Sequence, residues 1–367
     1  MKAIVKILSR ILHIFPIKHN KIFLMNAAGT SIGGDPKALV VWGNNNNKTY
    51  DYVWGMKNRI YVKQAELKNV RFVNKRSFRC IYEALTSRVL FFNVNPPKYL
   101  VFRKEQILIN SWHGFVFKKV GKHRGYRIEE TTCFISNSNT FTELLLYDSF
   151  EYKNKILLCG QPRNDIFFSD EMKVVSRSVR EKYGLSNKKI LLYAPTFRSD
   201  FMYKDTGIDF NQLRSVLKKK FSGDWVILYR LHPSLLLTHK VTAKDVIDVS
   251  AHQDMQELLC AADVLITDYS SSMWDFSLMK KPVFVFANDI DEYEAERGFA
   301  LPYDEWPYAI AKNNFELQTN IDEYSEPDYL MKLESFFSSM TSYEDGQGSK
   351  AVFDYIESAE CSQNSCS

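Results

Sequence analysis

No CxxC pair occurs among the six cysteines of this 367-residue chain, and no histidines stand beside them at zinc-site spacing. Cys80, Cys133, Cys159, Cys260, Cys361 and Cys366 are scattered, which excludes a disulfide framework and a structural zinc site and fits a reducing compartment. Glycine (15) and proline (11) are too few for a collagen-like or low-complexity chain, and 45% hydrophobic with 25% charged residues excludes wholesale disorder. No apolar run reaches the roughly 20 residues needed to span a bilayer. The motifs GxGxxG, GxxxxGKS/T and HExxH are missing, so dinucleotide, P-loop and zincin readings fall away.

What is present is a chain about twice the usual size of one domain, hence an expectation of two. Aromatic residues are plentiful at 14%, which favours strands and core. A net charge of +5 with pI near 8.6 is too mild for the clustered basic footprint of a nucleic-acid binder. The charge is nonetheless local: residues 1–22 hold Lys2, Lys6, Arg10, Lys18 and Lys21, and no acid precedes Asp35. On a helical projection Lys2, Lys6, Arg10 and His13 share one arc, opposite Ile4, Val5, Ile7, Leu8, Ile11, Leu12, Ile14 and Phe15. Residues 1–20 are therefore expected to form a basic amphipathic helix, lying on an anionic membrane surface or docked on its own domain.

From Lys21 short apolar runs alternate with helical patterns, which predicts parallel strands joined by crossover helices. One series comprises Ile22–Met25, Tyr52–Trp54, Val89–Val94, Gln106–Asn110, Thr132–Ile135 and Ile156–Leu158. A second comprises Ile190–Ala194, Trp225–Tyr229, Val246–Val249, Val264–Thr267 and Pro282–Phe286. The restart predicts an α/β protein with two facing Rossmann-like domains, over 21–170 and 187–340, a polar linker over 170–187, and a C-terminal helix and polar tail over 341–367, with disorder expected from Ser358. Ligands of such sheets bind beyond the carboxyl ends of the strands, so those loops are the place to seek chemistry.

After the first strand, Gly29-Thr30-Ser31-Ile32-Gly33 matches the GxSxG elbow of serine hydrolases. It equally reads as a glycine-rich strand-to-helix loop, with Asp35 as N-cap and Pro36 at the first helical position. Ser111-Trp112-His113-Gly114 follows the fourth strand, with Lys118, Lys119, Lys122, His123, Arg124 and Arg127 behind it. His113 is a candidate general base, and the cations suit an anionic substrate or a solvated face. In the second series His232 takes the corresponding place in Tyr229-Arg230-Leu231-His232-Pro233, kept out of helix by the proline. Val264–Thr267 runs into Asp268-Tyr269-Ser270-Ser271-Ser272, where serines opening a helix make either an anion site for a diphosphate or a plain N-cap. Asp289-Ile290-Asp291 is a DxD match of a frequency expected by chance, and no metal is assigned to it.

In order and spacing, Ser111–Gly114 with Lys118–Gly121, Gly160-Gln161-Pro162-Arg163-Asn164-Asp165, Tyr193-Ala194-Pro195-Thr196-Phe197-Arg198, Arg230–Pro233, Thr267–Ser271 and Arg297-Gly298-Phe299 resemble the CDP-glycerol glycerophosphotransferase family of teichoic acid synthesis. The resemblance covers about residues 20–310. It implies a GT-B architecture, a CDP-polyol donor, a lipid-linked saccharide or polyol-phosphate polymer as acceptor, no cofactor or bound metal, and a peripheral place on the cytoplasmic face of the membrane. It further implies His113 as catalytic base, His232 as the histidine on the donor phosphates, and Thr196, Arg198, Asp268, Ser270, Ser271 and Ser272 around the donor. Gly114, Lys118, Lys119, Arg163 and Asn164 fall on the acceptor side. Phe115, Val116 and Phe117 depart from the family's usual Thr-Pro-Leu, and Gln161 replaces a usual Tyr, which touches acceptor identity more than the reaction.

The expected reaction is transfer of glycerol phosphate, or a related polyol phosphate, to an acceptor hydroxyl with release of CMP. The alternatives are a nucleotide-sugar glycosyltransferase of the same fold, a serine hydrolase using Ser31, and a non-catalytic membrane-surface module.

Overall fold

The computed structural model describes residues 2–57, 67–115, 117–128, 131–196, 207–232, 241 and 243–364. Within them the chain divides into two compact units, one made of 1–113, 120–169 and 342–367, the other of 114–119 and 170–341.

The first unit is built on a seven-stranded sheet. Its strands are β1 (Lys18–Met25), β2 (Asp51–Met56), β3 (Val70–Asn74), β4 (Ser87–Phe92), β5 (Ile107–Asn110), β6 (Cys133–Ser136) and β7 (Lys155–Leu158), in the order β3-β2-β1-β4-β5-β6-β7. Every pairing is parallel, with Met25 opposite Phe92 and Phe92 opposite Asn110 at the carboxyl edge. β4, β5 and β6 are buried at every position, as a sheet covered on both faces demands. One layer of core joins Leu24, Trp54, Phe91 and Ile109 to Val352, Phe353 and Ile356 of the helix Gly348–Asn364; the other joins Phe23, Phe92 and Leu108 to Leu12, Ile81 and Leu85.

The second unit repeats the topology with β8 (Lys189–Ala194), β9 (Trp225–Tyr229), β10 (Ile247–Asp248), β11 (Val264–Thr267), β12 (Val283–Phe286) and β13 (Ala309–Ala311), ordered β10-β9-β8-β11-β12-β13 and all parallel. In each sheet the winding reverses beside its first strand, between β1 and β4 and between β8 and β11, and that switch point opens a crevice at the carboxyl edge.

Several expectations need correction. The stretch 170–187 is no linker: Glu171–Lys182 is a helix of the second unit, and Arg180 donates to the carbonyls of Lys188 and Ala261 and to Asp263. Its polarity is that of an exposed helix with Val179 as its buried residue. The domain range 21–170 includes residues 114–119, which fold with the second unit, and the C-terminal helix rejoins the first. That helix runs to Asn364, through the tail expected to be disordered, because its apolar stripe has a sheet to cover.

The N-terminal helix spans Lys2–Ile11. It docks through Leu12, which is buried, through Ser9, whose hydroxyl accepts the Val101 N–H at 2.9 Å, and through His13 Nε2, which lies 2.7 Å from the Val101 carbonyl. Ile7, Ile11, Ile14 and Phe15 remain exposed, as do Lys6 and Arg10.

Lys21, counted with the N-terminal cations, is fully buried in β1 and donates to Glu83 Oε2 at 2.9 Å and to Thr86 Oγ1 at 2.5 Å. Arg71 binds the other Glu83 oxygen at 2.8 Å. Burial raises the Glu83 carboxyl, but the bonds from Arg71 and Lys21 outweigh it and hold its pKa at about 2. An ordinary Glu titrates near about 4.3, so this stabilisation is complete above that range and is lost as pH falls toward 2. Glu83→Gln should therefore flatten the acid limb of a denaturant stability profile between about pH 4.5 and 2; an acid limb of unaltered slope would refute the assignment.

Candidate functional site

At the carboxyl edge of the first sheet, β5 ends in Asn110, whose Oδ1 accepts the Trp112 N–H at 2.8 Å. Trp112 takes φ +56°, a left-handed conformation that a bulky residue rarely adopts without an imposed reason. Its ring is buried and lies 4.5 Å from the His113 imidazole. The turn exposes His113, with Nδ1 at 3.3 Å from the Asn93 carbonyl in the loop after β4.

Bonded to this turn through Ser111 is Asp35, expected as an N-cap. The helix is Gly34–Asn45, capped by Gly33, and Asp35 is wholly buried. Its carboxylate accepts from Ser111 Oγ at 2.9 Å, Arg163 N at 3.0 Å and Arg163 Nη1 at 3.0 Å. A buried carboxylate with a buried arginine and a hydroxyl is a cross-brace, joining the loops after β1, β5 and β7. Asn164, also buried, donates to Glu344 Oε1 at 3.0 Å, and Asp165 accepts the N–H groups of Gly348 and Ser349 at 2.8 and 2.7 Å, capping the C-terminal helix. Arg163 and Asn164 thus spend these bonds inside the first unit.

Ser31 accepts from the Asn26 carboxamide at 2.7 Å, and among the described residues no histidine is bonded to its hydroxyl, so the triad that a serine hydrolase needs is not assembled there by them. Of the basic residues after Gly121, Lys122 and His123 both engage Asp148, at 3.0 and 2.6 Å.

The second unit gathers its residues around Asp268, 1% exposed. Its Oδ1 accepts from Thr196 N and Thr196 Oγ1, both at 2.8 Å, and from Tyr269 N at 2.6 Å. This one carboxylate binds the loop after β8 to the loop after β11, across the switch point. Ser270 Oγ and Ser272 Oγ are 2.8 Å apart, and the helix they open is short, Ser272–Ser277, with no side-chain cap on Ser271. Tyr269 donates to Asp289 at 2.8 Å and Asp291 pairs with Lys312, so both carboxylates of the DxD match are engaged by protein groups. His232 is half-buried at the end of β9. Beside it Arg230 is held by its main-chain N–H to Tyr193 O at 2.9 Å, and burial lowers its guanidinium to about 10. Arg198 lies outside the described residues.

The segment 114–119 is seated in this second unit. Phe115 and Phe117 pack on Trp274 with centroids at 5.1 and 6.0 Å, and Phe117 meets Trp306 edge-on at 5.0 Å. Lys118 forms an antiparallel bridge with Phe299, and Lys119 N–H donates to Gly298 O at 3.1 Å. Here Gly114 comes against Ser271 so closely that a Cβ on it would lie 2.0 Å from Ser271 Oγ. Phe115 and Phe117, at two of the three positions that depart from the family pattern, therefore form an aromatic anchor in the second unit's core, and Val116 lies outside the described residues.

Two doubly wound parallel sheets of one topology, each with polar motifs at its carboxyl edge, define a GT-B-like transferase class. Residues 7–358 match the family described as CDP-glycerol:poly(glycerophosphate) glycerophosphotransferase, and the chain belongs to that family. It is 28% identical to the teichoic acid glycerol-phosphate transferase of Staphylococcus aureus, over 91% of this chain and 92% of that protein. It is 24% identical to the teichoic acid poly(glycerol phosphate) polymerase of Bacillus subtilis, over 94% of this chain and half of that protein's length. Among solved structures, the wall teichoic acid polymerase TagF superposes with a TM-score of 0.82 at 25% identity, covering 99% of this chain and 93% of that one. A variant of TagF soaked with CDPG gives 0.83 at 26%, over 99% and 94%.

Proposed function

We propose that the chain transfers glycerol phosphate, or a related polyol phosphate, from a CDP-polyol to a hydroxyl of a lipid-linked or polymeric acceptor in teichoic acid synthesis. The observation that carries the reading is positional: five of the six family motifs begin at or just after the carboxyl ends of β5, β7, β8, β9 and β11, where open α/β sheets take their ligands. In the reaction His113 takes the proton of the acceptor hydroxyl, whose oxygen attacks the phosphorus bearing the polyol. The bond between the two phosphates breaks and CMP leaves with its electron pair. Chemistry of this kind asks mainly for alignment and charge compensation. His232, Thr196 and the Ser270–Ser272 hydroxyls and amides are the groups to hold the diphosphate, with Asp268 keeping the loops after β8 and β11 in register. A bound metal or cofactor has no part in this proposal.

CMP release from CDP-glycerol in the presence of a lipid-linked acceptor tests the reaction, and phosphorus NMR must find the phosphate in the product. A product without phosphate would move the chain to glycosyl transfer. Changing Ser270 and Ser271 together to Ala should weaken calorimetric CDP-glycerol binding by about tenfold, two hydrogen bonds to a charged group being worth at least about 1.4 kcal/mol. Unchanged affinity would remove the serines from the donor site.

Among the described residues no helix is long and apolar enough to cross a membrane. Exposed Ile7, Ile11, Ile14 and Phe15 beside Lys6 and Arg10 suit the headgroup layer of an anionic membrane. Ile7 and Ile11 changed to Ser should reduce co-sedimentation with anionic vesicles severalfold, and undiminished pelleting would reject that attachment.

A further inference from the structure

We propose that Asn93 is a positioning residue that fixes the tautomer of His113. The inference rests on His113 as the base of the reaction above, and it adds how that base is made ready.

Asn93 follows β4 directly and is 6% exposed. The backbone N–H of Ala27 can only donate, and it points at Asn93 Oδ1 from 2.8 Å. That sets the carboxamide the other way round for its second partner: Nδ2 donates to Asn26 Oδ1 at 2.5 Å. Asn26 in turn has its Nδ2 on Ser31 Oγ. The orientation of both amides follows from one backbone donor, with no choice left for either. Both ends of the Asn93 side chain are clamped, and the preceding carbonyl, Phe92 O, accepts the Ser111 N–H at 3.0 Å. The next carbonyl, Val94 O, is held too, by Asn110 Nδ2 at 3.2 Å, and the same Asn110 holds the Trp112 N–H.

The main-chain oxygen of Asn93 is therefore a fixed acceptor, and His113 Nδ1 meets it at 3.3 Å. A carbonyl has no proton to give. Nδ1 carries the hydrogen of that bond, so in the neutral imidazole Nε2 carries the lone pair and is the nitrogen that accepts a proton from an incoming hydroxyl. In the opposite tautomer Nδ1 would set a lone pair against the carbonyl, and Nε2 would be the wrong partner for that hydroxyl. The glycine-rich loop after β1 thus serves the base by locking the amide that orients it. Catalytic hydrogen bonds are often long before substrate binds, and 3.3 Å fits such a poised state.

The test reads tautomers directly. The full chain, labelled with nitrogen-15 in histidine and assigned through His113→Gln, is examined by two-bond proton–nitrogen correlation above the titration range. The expected result is a His113 protonated at Nδ1. In Asn93→Ala that signal should move toward the Nε2-protonated form, and kcat for CMP release should fall by roughly 10–100-fold, part of the general-base contribution, while KM for CDP-glycerol changes less than about twofold. Asn93→Asp keeps the acceptor for Ala27 but sets an oxygen against Asn26, and should fall between. Should Asn93→Ala not fold, the wild-type spectrum and Asn93→Asp still decide. A wild-type His113 protonated at Nε2, or a variant that loses kcat with its tautomer unmoved, overturns the proposal. If His113→Gln retains full turnover, the base assignment fails while the tautomer measurement stands, so the two failures are separable.

Discussion

Replacing His113 by alanine should lower turnover of CDP-glycerol by about 10²–10⁴-fold, the usual contribution of a positioned general base. Calorimetric affinity for the donor should change by less than about twofold, because an interaction that acts in the transition state leaves ground-state binding intact. The expected selectivity follows from location. His113 is exposed at the edge of the first sheet, whereas Thr196, Asp268 and the three serines belong to the second unit. Truncating an exposed imidazole empties no core, so the melting temperature should hold and the loss can be read as chemistry. A pre-steady-state measurement sharpens the result: with the chemical step slowed, any burst of CMP should disappear. Turnover within threefold of wild type would take the base role from His113.

Much of this arrangement was legible beforehand, and the misses have physical causes. Strands such as Val264–Thr267 and Trp225–Tyr229 are found where their continuous apolar runs place them, because a parallel strand covered on both faces has no room for alternation. β3 and β13, two of the four edge strands, escape for reasons of composition: Arg71 breaks the apolar run of β3, and two of the three residues of β13 are alanines, weak strand formers. Each histidine of interest stands after a strand, as the switch-point rule anticipates. What periodicity cannot carry is pairing between distant loops. Asp35 looks like a cap because it opens a helix, and only the fold brings Ser111 and Arg163 onto it. Asn93 bears no motif at all, since its part is played through a main-chain oxygen common to every residue type. Phe115 and Phe117 read as a departure in an acceptor loop until the aromatic rings of Trp274 and Trp306 are seen beside them. Lys21 shows the same limit from the other side, a cation counted with its basic neighbours yet buried against Glu83.

Asp35→Ala should be the most damaging single change to both stability and activity. It removes one member of a buried pair, the Arg163 and Asp35 side chains being only 7% and 1% exposed. The guanidinium is left in a low-dielectric interior without its carboxylate, which typically costs about 3–5 kcal/mol. The same change removes the Asp35 acceptor from Ser111 Oγ and from the Arg163 N–H, so the turn that presents His113 loses its brace to the loop after β7. Stability and function can be pulled apart by a second variant. Asp35→Leu combined with Arg163→Leu replaces the pair by apolar volume, and such exchanges are often neutral or stabilising. Denaturant unfolding should therefore recover most of the loss in the double variant. Turnover should not recover with it, because leucine offers nothing to the Ser111 hydroxyl, and the left-handed Trp112 depends on that turn being held from below. Recovery of both together would make Asp35 a partner of Arg163 alone, and the placement of His113 would then rest on Asn93 and Asn110.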